Sequence, residues 1–122
     1  MKIKPYSARK HCDSLWSELI KLRAGGKCER CQSTTVVQSH HVIPRTNWNL
    51  RFNELNGVAL CKAHHIFWSH KDAVGFTRWL DMEYPGRIDK LEIMRHEKTK
   101  HDYTLLKLYL EQEIKKLEAK KC

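Results

Sequence analysis

Residues 28–45 have the sequence CERCQSTTVVQSHHVIPR, and residues 56–70 have the sequence NGVALCKAHHIFWSH. Each stretch contains two metal-binding side chains separated by a two-residue gap, which lets both turn onto one metal ion. The two pairs are Cys28 with Cys31, and Cys61 with His64. Thiolate and imidazole suit Zn²⁺, so the sequence predicts a tetrahedral structural zinc site. His65 is an alternative fourth ligand, but His64 keeps the two-residue gap.

The cysteine count favours metal ligands over cross-links. The chain has five cysteines, an odd number, and a reducing compartment disfavours disulfides. The two cysteines outside the ligand pairs, Cys12 and Cys122, are expected to be free thiols. We expect Cys12 to pack on the first helix and Cys122 to lie on a frayed tail.

Size and charge narrow the class of protein. A chain of 122 residues, 41% hydrophobic and 30% charged, fits one globular domain spanning residues 1–122. The formal net charge of +9 favours a polyanionic partner, with nucleic acid as the first candidate. Anionic membrane is the competitor, but no apolar run approaches the roughly 20 residues of a membrane span. The start MKIKPYSARK lacks the apolar segment of a secretion signal, so we expect a cytoplasmic protein.

Apolar periodicity and turn residues predict an α+β fold that is mostly helical. The predicted elements are a basic arm (1–12), a helix (13–25), two strands (34–43 and 57–60), a His-rich helix (62–70), a further helix (72–84) and a C-terminal amphipathic helix (101–120). Asp13 or Ser14 is expected to cap the first helix. The polar segment between the strands is expected to be a long functional loop.

The C-terminal helix has one clear apolar stripe at helical spacing. Its members are Tyr103, Leu106, Leu110, Ile114 and Leu117. Packing against the core is one interpretation of this stripe. Leu105, Leu108 and Tyr109 widen the apolar surface, so a dimer-forming helix is the other, and the chain is expected to be a monomer or a homodimer.

The number of histidines indicates a second metal centre in addition to the zinc site. Five lie between residues 40 and 70, namely His40, His41, His64, His65 and His70, and the zinc site needs only one. Adjacent histidines in a strand point to opposite faces, so one can bind metal while its neighbour faces a water. From Cys28 to His70 the chain resembles the HNH endonuclease family, through the motifs SHHVIPR (39–45), Asn56 and CKAHH (61–65).

This resemblance implies a ββα-metal (HNH) core, in which two strands and a helix hold one catalytic divalent ion, Mg²⁺, Mn²⁺, Ni²⁺ or Zn²⁺. A zinc knuckle (Cys28, Cys31, Cys61 and His64) would brace it, although family members often carry a second CxxC where this chain has CxxH. His40 would be a metal ligand and His41 the general base. Asn56 would hold either the His41 ring or the intervening loop.

By the same resemblance, His65 and His70 would complete the metal site. Fourteen residues separate His41 from Asn56, and eight separate Asn56 from His65, as in colicin-type nucleases. His70 departs from that pattern, because it lies five positions after His65 where those nucleases have four.

The resemblance implies DNA as the substrate, either duplex or branched. Arg45, Arg51 and Lys62 are expected to face phosphates, although a solvated basic face would contain the same residues. The segment LRFNE (50–54) is similar to phage NinG-type recombination endonucleases, which implies host cytoplasm if the chain is phage-encoded. A non-catalytic zinc-containing nucleic-acid-binding module is the alternative function. The His-rich helix could also complete a second structural zinc site, and Asn56-Gly57 could serve only as a hairpin turn.

Overall fold

The computed structural model describes residues 5–120, without the side chains of residues 5, 6 and 67. The chain is α+β and mostly helical, which confirms the predicted class. Its elements are α1 (Pro5–Arg23), β1 (Val37–His41), a 3₁₀ turn (Glu54–Asn56), β2 (Gly57–Cys61), a π-helical segment (His64–Ser69), α2 (Ala73–Glu83), α3 (Arg87–Met94) and α4 (Tyr103–Ala119).

The two strands form one antiparallel sheet in which His41 pairs with Gly57 and His40 with Val58. All of β2 is buried, whereas β1 is half-buried. β1 is shorter than the predicted strand 34–43, because Val36 has a φ of 45° and ends the extended run. The sheet therefore presents a short, half-covered strand that carries both histidines.

The first helix begins at Pro5, so the prediction of a basic arm through residue 12 and a helix from residue 13 was wrong over residues 5–12. Residues 1–4 of the arm lie outside the described part. Cys12 and Trp16 are buried against α4, so packing extends the helix toward its N-terminus. Asp13 is an interior residue of the helix and pairs with Arg51.

Gly57 is the point at which α1 comes closest to the sheet. A Cβ there would lie 2.3 Å from Cδ1 of Ile20 and 2.8 Å from Cζ2 of Trp16. Its φ of −114° is extended, so Asn56-Gly57 is not the left-handed hairpin turn that the dipeptide resembles. The glycine is needed because α1 packs directly on the start of β2.

The C-terminal half contains one helix that the sequence analysis did not predict. α3 follows Gly86, whose φ is 86°, and buries Leu91 against Ile43 and Leu50. By contrast, α2 agrees with the predicted helix to within one residue at each end, with Asp72 accepting a hydrogen bond from the backbone of Gly75. α3 thus packs on the loop between the two strands.

α4 packs against α1 through Leu110 and Ile114, which confirms the core interpretation of its stripe. Asp102 caps the helix by accepting hydrogen bonds from the backbone of residues 104 and 105. Leu105 and Leu108 remain 63% and 54% exposed, and the dimer interpretation stays a prediction. Within residues 5–120, none of the helices combines the length and apolar character needed to cross a bilayer.

Candidate metal centres

The first centre is the four-residue cluster for which the sequence predicts a zinc knuckle. One ligand atom each from Cys28, Cys31, Cys61 and His64 lies within 4.8 Å of the others. The first two come from a tight turn in which the Gln32 N–H donates to the Cys28 carbonyl at 2.8 Å. Cys61 ends β2 and His64 begins the π-helical segment, so the sheet and the segment that follows it meet at this cluster.

The spacing of these atoms fits a tetrahedral ion. The Sγ atoms of Cys31 and Cys61 are 3.8 Å apart, and Nδ1 of His64 lies 3.2 Å from Sγ of Cys61 and 3.6 Å from Sγ of Cys28. With Zn–S bonds of about 2.3 Å, a tetrahedron has edges of about 3.8 Å. The sulfur separation is far beyond the roughly 2.05 Å of a disulfide. The cluster could hold a metal ion such as zinc.

The electrostatics of Cys28 also suit a metal ligand. Burial raises the pKa of its thiol, but hydrogen bonds from the backbone of Cys61, Cys31 and Arg30 and from the His64 ring outweigh burial and lower the pKa to about 7. Deprotonation near neutral pH supplies the thiolate that binds metal.

Two residues that the sequence analysis missed, Glu29 and Tyr84, connect the knuckle to the rest of the structure. The Glu29 carboxylate accepts a hydrogen bond from the backbone of Ala59 at 2.6 Å and another from the Tyr84 hydroxyl at 2.6 Å. Its position inside the CxxC pair was the only available signal. Glu29 therefore ties the first ligand turn to both β2 and the end of α2.

The second centre is a group of three histidines. One nitrogen each from His40, His65 and His70 lies within 4.8 Å of the others. The ring of His40 also contacts Phe76 of α2, with centroids 5.1 Å apart. Imidazole nitrogens at this separation form a donor set that suits a divalent ion such as Zn²⁺ or Ni²⁺.

The π-helical segment accounts for the unusual spacing of His70. In a π-helix the backbone bonds run from residue i to i+5, so residues five apart lie on nearly the same face. The rings of His65 and His70 accordingly have centroids 5.1 Å apart. An ordinary α-helix would turn the two side chains away from each other, because residues four apart share a face there.

Gln38 orients the imidazole ring of His65. Its Oε1 lies 2.7 Å from Nδ1 of His65, and because an amide oxygen only accepts, Nδ1 carries the proton and Nε2 keeps its lone pair. Gln38 and His40 are two residues apart in β1, on the same face of the strand. The sequence analysis missed this residue, although that spacing was a usable signal.

Burial keeps the imidazoles of His40 and His65 neutral. Desolvation, helped by the neighbouring His65, His70 and His41, lowers the pKa of His40 to about 3. Burial also lowers the pKa of His65. A neutral imidazole is the form that binds metal, so these side chains need not lose a proton to accept an ion near neutral pH.

His41 points to the other face of β1, as expected from strand alternation. Its ring stacks on Trp16 at a centroid distance of 3.9 Å, and its Nε2 lies 2.9 Å from the Arg51 carbonyl oxygen. A carbonyl only accepts, so Nε2 carries the proton and Nδ1 is the proton acceptor. Burial lowers the pKa of His41, partly offset by this hydrogen bond, so the ring is neutral near neutral pH.

Although His40 and His41 lie on opposite faces of β1, both line one cleft. A cleft of about 670 Å³ is lined by His40, His41, His65 and His70, and by Arg45 at its rim. His41 therefore lines the same cleft as three potential metal ligands. Such an arrangement can bind a cation and take a proton from a water molecule beside it.

Asn56 acts on the loop and makes no hydrogen bond with the His41 ring. It is fully buried, its Oδ1 accepts from the Ile43 backbone at 2.8 Å, and its Nδ2 donates to the carbonyls of Ile43 and Leu50 at 2.9 and 3.1 Å. The sequence left open whether Asn56 holds the His41 ring or the intervening loop, and these hydrogen bonds show that it holds the loop. The amide joins both ends of the loop that carries Arg51.

Arg51 does not have the position expected of a phosphate-binding residue. Its side chain is 7% exposed and forms two hydrogen bonds with the Asp13 carboxylate, at 2.7 and 2.8 Å. This pairing raises the pKa of Arg51 and occupies its donors inside the protein. Arg45 and Lys62 are exposed, as a phosphate contact requires.

Among the described residues, then, two clusters of side chains could hold a metal ion, and His41 lines the cleft that the three clustered histidines also line. The knuckle is compatible with a structural ion and the histidine group with an ion open to solvent. No protein-family model, curated protein or solved structure matches the chain.

Proposed function

We propose that the chain is a metal-dependent DNA endonuclease of the HNH type. The observation that carries the proposal is the single cleft lined by His41 and by the three clustered histidines His40, His65 and His70. The net charge of +9 supports a polyanionic substrate. This combination suits phosphodiester hydrolysis, which needs both an activated water and neutralisation of charge at phosphorus.

His41 acts as the general base. Its Nδ1 accepts a proton from water, the water oxygen forms a bond to phosphorus, and the bond from phosphorus to the 3′ oxygen breaks. The Arg51 carbonyl fixes the proton on Nε2 and the Trp16 ring fixes the plane of the imidazole. A divalent ion held by His40, His65 and His70 would supply the positive charge that stabilises the phosphate and the leaving oxygen.

The knuckle supports this site without entering the chemistry. Cys61 and His64 flank the turn from β2 into the π-helical segment, and His65 follows directly. An ion bound by the knuckle would fix the direction in which that segment leaves the sheet. Loss of such an ion removes folding free energy from a small domain.

Plasmid nicking tests the proposal. The zinc-loaded chain is incubated with supercoiled DNA and Mg²⁺, Mn²⁺, Ni²⁺ or Zn²⁺, beside His41→Ala and a control, His96→Ala, whose side chain follows the end of α3 and is 74% exposed. We expect the wild type and the control to nick DNA, and His41→Ala to lose roughly 10²–10⁴-fold in rate while keeping its fold and zinc.

Two results would contradict the proposal. Absence of nicking with every ion, together with unchanged DNA affinity of His41→Ala, would favour a non-catalytic zinc-containing nucleic-acid-binding module. Unfolding of His41→Ala would show that the ring is structural. A comparison of linear duplex, supercoiled plasmid and four-way junction in the same assay would identify the preferred DNA form.

A further inference from the structure

We propose that the outer face of α1 is a DNA phosphate-binding groove that continues from the histidine cleft. A groove of about 800 Å³ runs along this helix, and it shares Asp13, Ser17 and Arg45 with the cleft. Arg45 therefore lies where the two meet. The inference rests on the proposed function for its substrate, because a groove that leads away from a hydrolytic cleft is placed to hold the flanking nucleotides.

Helical spacing creates this face. Lys10, Ser14, Ser17 and Lys21 recur at intervals of three or four residues and all line the groove. The opposite face of α1, including Cys12 and Trp16, is buried in the core. The residues predicted as a basic arm are thus helical from Pro5 onward, and Lys10 lies in line with Lys21 on the same helix.

The groove is positively charged because its central acid is already neutralised. Asp13 is paired with Arg51 inside the groove wall, which leaves Glu18 as the only unneutralised acid among the residues that line it. Lys10, Lys21 and Arg45 are exposed and outnumber that acid. A concave surface of one sign attracts a polyanion more strongly than scattered charges do.

The dimensions suit a nucleic-acid backbone. Lys10 and Lys21 are eleven residues apart in α1, or about 16 Å along the axis at about 1.5 Å per residue. Duplex DNA rises about 3.4 Å per base pair, so the two ammonium groups span roughly five base pairs. Lysine contacts with phosphates fix the register of a duplex but carry no sequence information, so the groove is expected to bind DNA of any sequence.

A matched pair of double variants tests the groove. Lys10→Gln/Lys21→Gln removes two exposed helical lysines from the groove, and Lys90→Gln/Lys115→Gln removes two exposed helical lysines that do not line it. Affinity for a short, fluorescently labelled DNA duplex of mixed sequence is measured by anisotropy across a salt series. Each protein also carries His41→Ala and is zinc-loaded, so cleavage does not enter the readout.

We expect the groove variant to lower the slope of log affinity against log salt by about 1.8 and to weaken binding about thirtyfold near 0.15 M salt. The control should bind like its parent. Equal weakening of both variants would overturn the proposal in favour of a general net-charge effect, and unchanged binding by the groove variant would also overturn it. Absence of nicking by the wild type contradicts the proposed function but leaves this binding comparison intact.

Discussion

The Nε2 atom of His41 lies 2.9 Å from the carbonyl oxygen of Arg51, whose guanidinium is itself paired with Asp13. The backbone of Arg51 therefore orients the proposed base, while its side chain fixes that backbone to α1. This chain of contacts links the stability of the α1 interface to the geometry of the cleft.

Breaking the pair between Arg51 and Asp13 should destabilise the protein. Arg51→Met removes two hydrogen bonds from the Asp13 carboxylate, whose side chain is 31% exposed, and hydrogen bonds to charged groups contribute about 1.5–3 kcal/mol. A double-mutant cycle with Asp13→Asn, measured by urea unfolding, should give a coupling energy of about 2 kcal/mol. If Arg51→Met leaves the stability unchanged but weakens DNA binding, the original prediction that Arg51 contacts a phosphate is supported instead.

Replacement of Asn56 should loosen the loop without removing zinc. Asn56→Ala leaves the backbone N–H and carbonyl of Ile43 without their amide partner and removes one of the two donors to the Leu50 carbonyl. Each unsatisfied buried group costs about 1–3 kcal/mol. We expect the free energy of unfolding to fall by about 3 kcal/mol or more. Asn53→Ala is the control in the same loop, since it removes only the bond from Leu55 and should cost about 1 kcal/mol. Equal losses in the two variants would show that Asn56 has no special role.

Loss of one knuckle ligand should unfold the domain. Cys28→Ala removes a buried thiolate from the cluster, and structural zinc contributes on the order of 10 kcal/mol or more to the folding of small domains. Cys12→Ala is a matched control, because Cys12 is equally buried but lies outside the cluster; it should cost about 1 kcal/mol and leave zinc in place. Mass spectrometry measures the zinc content of each variant, and circular dichroism measures whether it is folded. A folded, fully zinc-loaded Cys28→Ala protein would show that the ligands are misassigned.

Gln38 should set the affinity of the histidine centre for its ion. Gln38→Leu removes the acceptor from Nδ1 of His65, and loss of such an orienting bond weakens metal binding by about 10–100-fold. Calorimetric titration of the zinc-loaded protein with Ni²⁺ or Mn²⁺ measures this. Gln38→Glu keeps an acceptor at that position and should restore binding. Wild-type affinity in Gln38→Leu would mean that packing alone orients the ring.

Local patterns in the sequence determined much of the fold and the members of the knuckle, whereas the members of the histidine cluster were expected from the resemblance to the HNH family. The two-residue gaps predicted the knuckle residues, and the alternation of a strand separated His40 from His41. Apolar periodicity and turn residues together predicted α2 and α4 nearly to the residue. These signals are available from sequence because they depend on residues within a few positions of each other.

Tertiary structure decided the rest. The start of α1 depends on packing against α4, which lies some ninety residues further along the chain, and Arg51 is withdrawn from solvent by Asp13 on that helix. The five-residue spacing of His65 and His70 places both rings at one site only because the backbone forms a π-helical turn there. A partner distant in sequence leaves no local periodicity, so its effect on a residue becomes visible only when the chain is folded.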